Sequence, residues 1–338
     1  MMEARDPVAG EDYPATWGHF LEWFRDDAAC ARYLERLRWR QGFACPDCGV
    51  LAEPYRASRM RLMCSACGHQ ASVTAGTIFD KTRTPLKVWF AAAWYITSQK
   101  HGVSALGLQR VLGLGSYQTA WTMRHRFRRA MVRPDRERLR GSVEVDETYV
   151  PLGDRALPFV AKSLSGKRET GKLLVVMAVE MLKPTGLGRI RLRRIPTAAQ
   201  EHVRPFIEAS IDPSALVQTD GSLLYSFLHR EGYLHTRTVV HRVASSRPTA
   251  SLPAVNRVAS LLKRWLLGTH HGAVQPRQLD HYLDEFVFRF NRRNSRSRGL
   301  LFYRLLEQAV ESGPITYRDI TQTHRSSVPV SASLELVG

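Results

Sequence analysis

Cysteine and aspartate supply the first clear chemistry in this chain, because both occur in settings that suit metal ions. Four of its five cysteines fall in two knuckles, Cys45-Pro46-Asp47-Cys48-Gly49 and Cys64-Ser65-Ala66-Cys67-Gly68, with 15 residues between the pairs. Two residues between cysteines let both thiolates turn back onto one ion, and glycine tolerates the tight backbone turn that follows. The set matches a tetrahedral Zn2+ site. Four thiolates leave no open coordination position, so the role expected is structural. Disulfides are disfavoured: the opening stretch "MMEARDPVAGEDY" lacks the charged-then-apolar design of a secretory leader, and the chain is expected in the reducing cytoplasm.

The aspartates stand on strands. "SVEVDETYV" sets Asp146 within a β-branched run, where a carboxylate facing a core is costly without a partner and a metal ion removes that cost. "ALVQTDGSLLY" ends an apolar strand at Asp220, at the carboxyl end where α/β sheets bind ligands. An Asp before Gly is also a common turn residue. Alternation puts Glu144 on the face of Asp146, as a neighbour of the site or a salt-bridge partner. It puts Glu147 on the opposite face, exposed or salt-bridged. Two aspartates on separate strands point to phosphoryl transfer with a pair of Mg2+ (or Mn2+) ions about 3.5–4 Å apart, one activating the attacking oxygen and one stabilising the leaving oxygen.

These residues must be positioned by a chain of 338 residues, enough for two or three domains. Residues 1–41 read as a disordered start, to about residue 14, and a helical segment. Residues 42–80 are short, glycine-punctuated and cysteine-bearing; residues 84–133 return to helical periodicity. From 141 to 299 strands and helices alternate, with strands at "SVEVDETYV", "KLLVVMAVE", "GRIRLRRI", "ALVQTD" and "RTVVHR" and helices at Ala198–Ser210 and twice after Leu252. Residues 300–338 read as a C-terminal helix and a loose tail. Lys and Arg number 49 against 31 acids, a net charge of +18, which calls for a polyanionic partner. No apolar run reaches the ~18 residues of a spanning helix, and the basic helices sit inside the folded pattern, so the partner expected is DNA and not a membrane.

Within 84–133, Val103–Leu112, "GLGS" and Tyr117–Met131 read as helix, turn and helix, with Ser116 as N-cap. The second helix offers Arg124 and Arg128 to phosphates and base edges, the form of a major-groove reader. The plain alternative is a packing unit with a solvated basic face. "RIRLRRI" sends Arg189, Arg191 and Arg193 out of one strand face, and "RFNRRNSRSR", with Arg292 and Arg293, reads as phosphate contact. The basic loop of 151–172 is expected beside DNA.

The ordered set "CPDCG", "CSACG", "VEVDETYV", "TDG", "SLLKRWLLGTHHG" and "YLDEFVFRFNRR" resembles bacterial insertion-sequence transposases of the ISXO type, from about Phe43 to Arg293. The resemblance implies an α/β catalytic domain, an RNase H-like mixed sheet flanked by helices, preceded by a zinc ribbon and a helix-turn-helix-like DNA-binding region. It implies Asp146 and Asp220 as the first two metal ligands, and a third on a helix seven residues before the Lys of an S-x-x-K-type segment. Counting back from Lys263 reaches Asn256, whose neutral carbonyl can ligate Mg2+ but adds no charge, so one ion is expected to be held more weakly. A helix-capping Asn is the plain alternative. Asp284 and Glu285 compete for the third position, Glu285 being the rival. Lys263 would contact transposon-end DNA, and His270 and His271 would contact DNA or the helix's last carbonyls.

The activity implied is metal-dependent cleavage at transposon ends and strand transfer into target DNA, by a homodimer or larger assembly on paired ends, in the cytoplasm at the nucleoid. A DNA-binding protein with a decayed site and a nuclease without strand transfer are the two other classes these residues admit.

Overall fold

The computed structural model describes residues 5–133, 136–151, 172–182, 186–238, 252–272 and 274–321. Most of the basic loop of 151–172 and the tail after Thr321 lie outside the described residues.

The N-terminal half is helical around a small three-stranded sheet. Helices α1 (Trp17–Trp23) and α2 (Asp27–Arg38) start at Thr16 and Asp26, whose side chains accept from the N–H groups of His19 and Ala29. Strands β1 (Tyr55–Ala57), β2 (Arg61–Met63) and β3 (Gln70–Ser72) pair antiparallel beside the cysteine knuckles. Then come α3 (Leu86–Ser98), α4 (Ala105–Leu112) and α5 (Tyr117–Ala130). Gly113 ends α4 in the left-handed region, and the Ser116 hydroxyl caps α5 by accepting from Gln118. The helix, turn and helix read in the sequence are therefore present.

The second half is one mixed sheet between helices. Strands β4 (Ser142–Pro151), β5 (Lys172–Leu182), β6 (Gly186–Ile195), β7 (Leu216–Asp220) and β8 (Leu234–Thr238) lie in the order β6-β5-β4-β7-β8. The first three pair antiparallel; β7 and β8 join parallel to β4. The interior strand β5 is covered on both faces, which explains its unbroken apolar run. Its Leu174, Val176 and Ala178 pack with α6 (Gln200–Ser210), while Val175, Met177 and Val179 pack with α8 (Pro253–His270) and α9 (Leu279–Asn291). The short α7 (Phe227–Arg230) leads into β8. This is the RNase H-like α/β architecture expected. β8 starts at Leu234, three residues before the run that marks it in sequence, because it takes its register from Leu216 of β7.

The chain closes on itself. Helix α10 (Arg298–Glu311), followed by α11 (Tyr317–Thr321), returns to the N-terminal core, where Phe302 packs on Phe20, Phe24, Phe90 and Trp94. The leader departs from the expected disordered start. Tyr13 is buried, Tyr33 and Arg36 donate to the carbonyl of Asp12, and a Cβ at Gly299 would collide with the carbonyl oxygen of Pro14. Among the described residues no helix is long and apolar enough to cross a membrane.

Candidate active site

The four knuckle sulfurs converge. Cys45 and Cys67 have Sγ atoms 3.7 Å apart, as do Cys48 and Cys64, and all four lie within 4.8 Å of one another. A Zn–S bond of about 2.3 Å implies a tetrahedral edge of ~3.8 Å, whereas a disulfide needs about 2.05 Å. The donor set thus fits one structural zinc ion. Gly49 and Gly68 adopt φ of 73° and 74°, and their N–H groups donate to the carbonyls of Cys45 and Cys64 at 2.9 and 3.0 Å. Backbone N–H groups of Cys67 and Ala66 bring the Cys64 thiol down to about 7, towards the thiolate a metal requires.

The aspartates meet through strand register. β4 and β7 pair parallel up to Glu144↔Gln218; Asp146 and Asp220 each stand two residues beyond that last pair, on the same face by alternation, and close enough for the Asp220 charge to act on Asp146. Asp146 Oδ1 accepts from the N–H of Glu147 at 2.8 Å, and Asp220 Oδ1 from that of Ser222 at 3.0 Å. Among the described residues neither carboxylate has an ion-pair partner. Burial raises the Asp146 carboxyl above its ordinary range and the Asp220 charge adds to the rise, as expected of neighbouring like charges.

Glu144 shares the face of Asp146, as alternation requires, but has no salt bridge among the described residues. It is buried and accepts from the N–H of Val255 at 2.9 Å, in the first turn of α8. That helix has Leu252 as N-cap, no side-chain cap of its own, and Pro253 at its first position. Asn256 is the fourth helical residue, with its N–H bonded to the Leu252 carbonyl. The capping alternative for Asn256 therefore fails: the cap comes from β4.

Glu147 points to the opposite face but is not exposed, and it has no salt bridge among the described residues. It is half-buried and accepts from the hydroxyl of Tyr225, a buried ring five residues after Asp220, and burial raises its carboxyl to about 7.

Several basic residues are placed otherwise than the sequence leads one to expect. Glu285 is 2% exposed. Its carboxylate is held by Arg128 and Arg289 at 2.8 Å and by Arg124 at 3.3 Å, so it is unavailable as a metal ligand. The same pairs correct the reading of Arg124 and Arg128 as DNA contacts: α5 turns both inward onto α9, and Arg128 lies over the Tyr282 ring. Gln118 and Arg129 are the exposed polar positions of α5. Arg292 and Arg293 keep surface positions, half-buried and exposed, stacked over Phe288 and Phe290, and Arg293 also donates to the carbonyls of Leu187 and Gly188 on β6. Asn291 completes that edge by accepting from the Ile190 N–H at 2.8 Å and donating to its carbonyl at 3.2 Å. Within "RIRLRRI", Arg189 pairs with Glu180 and Arg191 is buried, while Arg193 is exposed and lies over the Phe206 ring. His270 is buried against Trp265 and Tyr282. Lys263 is half-buried on α8, with no ion pair among the described residues.

Comparison with known proteins agrees with this architecture. Residues 138–291 match the ISXO2-like transposase domain, and residues 25–70 match the transposase zinc-ribbon domain. A protein of Halobacterium salinarum, named as an uncharacterized protein in transposable element ISH50, is 27% identical over 278 residues, covering 80% of this chain and 92% of that protein. The two matched domains span more than half of the chain and enclose both cysteine knuckles and both strand-borne aspartates. The chain belongs to the ISXO-type insertion-sequence transposases, with a zinc ribbon ahead of an RNase H-like transposase domain.

Proposed function

We propose that this transposase cleaves the ends of its element in a metal-dependent reaction and transfers the freed 3′-hydroxyl into target DNA. The observation that carries the reading is the parallel pairing of β4 with β7, which leaves Asp146 and Asp220 each two residues beyond its last pair, two acids without an ion-pair partner among the described residues. Asn256, next to the capped turn of α8, adds a neutral carbonyl oxygen. Together the three offer an oxygen-donor set suited to Mg2+ or Mn2+. When bound, such ions supply Lewis-acid stabilisation of the phosphoryl oxygens and ease deprotonation of the attacking water.

The chain's own groups hold and orient. Lys263, two turns beyond Asn256, neutralises an end phosphate. In the first step a water oxygen bonds to phosphorus as the 3′-oxygen leaves, giving a 3′-hydroxyl and a 5′-phosphate. In the second step that 3′-oxygen attacks a target phosphodiester, one P–O bond forming as another breaks. No covalent protein intermediate is required. Two ends must be joined, so a homodimer or larger assembly on paired double-stranded ends follows from the reaction. The zinc ribbon and the exposed face of α4–α5 would read the end sequence.

Paired end duplexes incubated with Mg2+ or Mn2+ test this. Joined products support transposition, cut-only products would make the protein a nuclease, and binding without chemistry would make it a decayed DNA-binding protein. Asp146→Ala and Asp220→Ala should abolish chemistry and keep end binding; strand transfer surviving in either would overturn the site.

A further inference from the structure

We infer that Glu144 is a positioning residue for the third metal ligand: its buried carboxylate caps the first turn of α8 and thereby sets where Asn256 stands relative to Asp146. This rests on the reading of Asn256 given above.

Glu144 is 1% exposed. A carboxylate buried so fully ordinarily meets a cation, and among the described residues Glu144 meets none. Its carboxylate accepts instead from the backbone N–H of Val255, at 2.9 Å. That is a donor that a helix start leaves unpaired. Leu252 has no side-chain acceptor to offer it, and Pro253 has no N–H of its own. The positive end of the helix dipole adds to the attraction.

The cap's origin matters more than its strength. A local Ser or Asp at the helix start would stabilise α8 without tying it to anything. Here the acceptor comes from β4, 111 residues earlier. It stands two residues before Asp146 on the same strand face, and its partner Val255 immediately precedes Asn256. The path from one proposed ligand to the other is therefore short: Asp146, Val145, Glu144, a hydrogen bond, Val255, Asn256. A helix that slid or tilted at its start would break that bond and carry Asn256 with it.

The test is a Mn2+ titration of the zinc-loaded full chain, read by electron paramagnetic resonance, for wild type, Glu144→Ala, Asn256→Ala and the double variant. Each single change should weaken Mn2+ binding by about tenfold, as loss of groups that orient ligands does. The double variant should lie within about twofold of Asn256→Ala alone, because the two residues act through one another. Glu144→Gln, which keeps one carbonyl acceptor for Val255, should recover most of the affinity. A cap that only stabilises the fold would lower the unfolding midpoint and leave Mn2+ affinity unchanged. That result, or additive losses in the double variant, overturns the inference. If Asn256→Ala alone leaves Mn2+ binding unchanged, the ligand reading of Asn256 fails and takes the inference with it. Should Glu144→Ala not fold, Glu144→Asp replaces it; its shorter arm should weaken Mn2+ binding in the wild type and not in the Asn256→Ala background.

Discussion

The carboxylate of Glu285 on α9 accepts from Nε of Arg128 on α5 at 2.8 Å, across 157 residues of sequence. Burial alone would raise the Glu285 carboxyl, but Arg128, Arg289 and Arg124 hold it well below the usual carboxylate range. A helix that reads like a DNA-binding element is thus bolted by its basic residues to the half that carries the aspartates. Breaking one partner of such a buried cluster leaves uncompensated charge in the interior. Glu285→Gln and Arg128→Ala should each cost about 3–5 kcal/mol of stability, read as a lower denaturant midpoint. An unchanged midpoint in both would show the cluster to be dispensable.

DNA affinity should divide the basic residues differently. Lys263→Ala should reduce the slope of log affinity against log salt by about 1, the signature of one lost phosphate contact. Arg124→Ala should leave that slope unchanged. Equal slopes for Lys263→Ala and wild type would remove Lys263 from the DNA interface.

That contrast marks the boundary of what the sequence conveys. Strands β4 to β7, the knuckles and the capped start of α5 follow from local patterns: alternation, C-x2-C-G spacing, and Ser before a helical run. Asp146 and Asp220 stood out because a carboxylate in an apolar strand is locally anomalous. Arg124 and Arg128 were misread because charge is a weak guide to exposure when the counter-charge comes from a distant segment. Glu285 lies more than 150 residues beyond Arg124 and Arg128. Glu144 was read correctly for its face, but its partner is a backbone group, which side-chain patterns do not reveal.

Zinc should be present at one ion per chain by elemental analysis, since the four sulfurs make a single closed site. Cys64→Ser should release it and unfold the ribbon, while the mixed-sheet half retains its own cooperative transition. A chelator that strips the metal without changing the protease sensitivity of residues 42–72 would contradict the structural role.

Stability should also depend on pH near neutrality through Asp284, whose carboxyl is pushed up to about 7, first by desolvation. Because its pKa is raised on folding, the folded chain binds more protons than the unfolded chain between the ordinary carboxyl range and pH 7. The contribution of this residue to stability therefore falls as pH rises through that window. Asp284→Asn should flatten the decline in urea midpoint between pH 5 and pH 8; an identical decline in the variant would assign it to other groups.

The return of α10 to the N-terminal core bears on how the protein is made. Phe302 belongs to the aromatic cluster of α1, α2 and α3, and Gly299 is pressed against Pro14. A nascent chain emerging from the ribosome cannot finish its first helical layer until almost its whole length has been synthesised. Domains that fold as they emerge do so from the N-terminus onward; here the first layer must wait for the last long helix. Prematurely terminated products that stop before α10 would carry the cysteine knuckles and α5 on an open, aromatic-lined scaffold. Complete synthesis is thereby a condition for a finished N-terminal half.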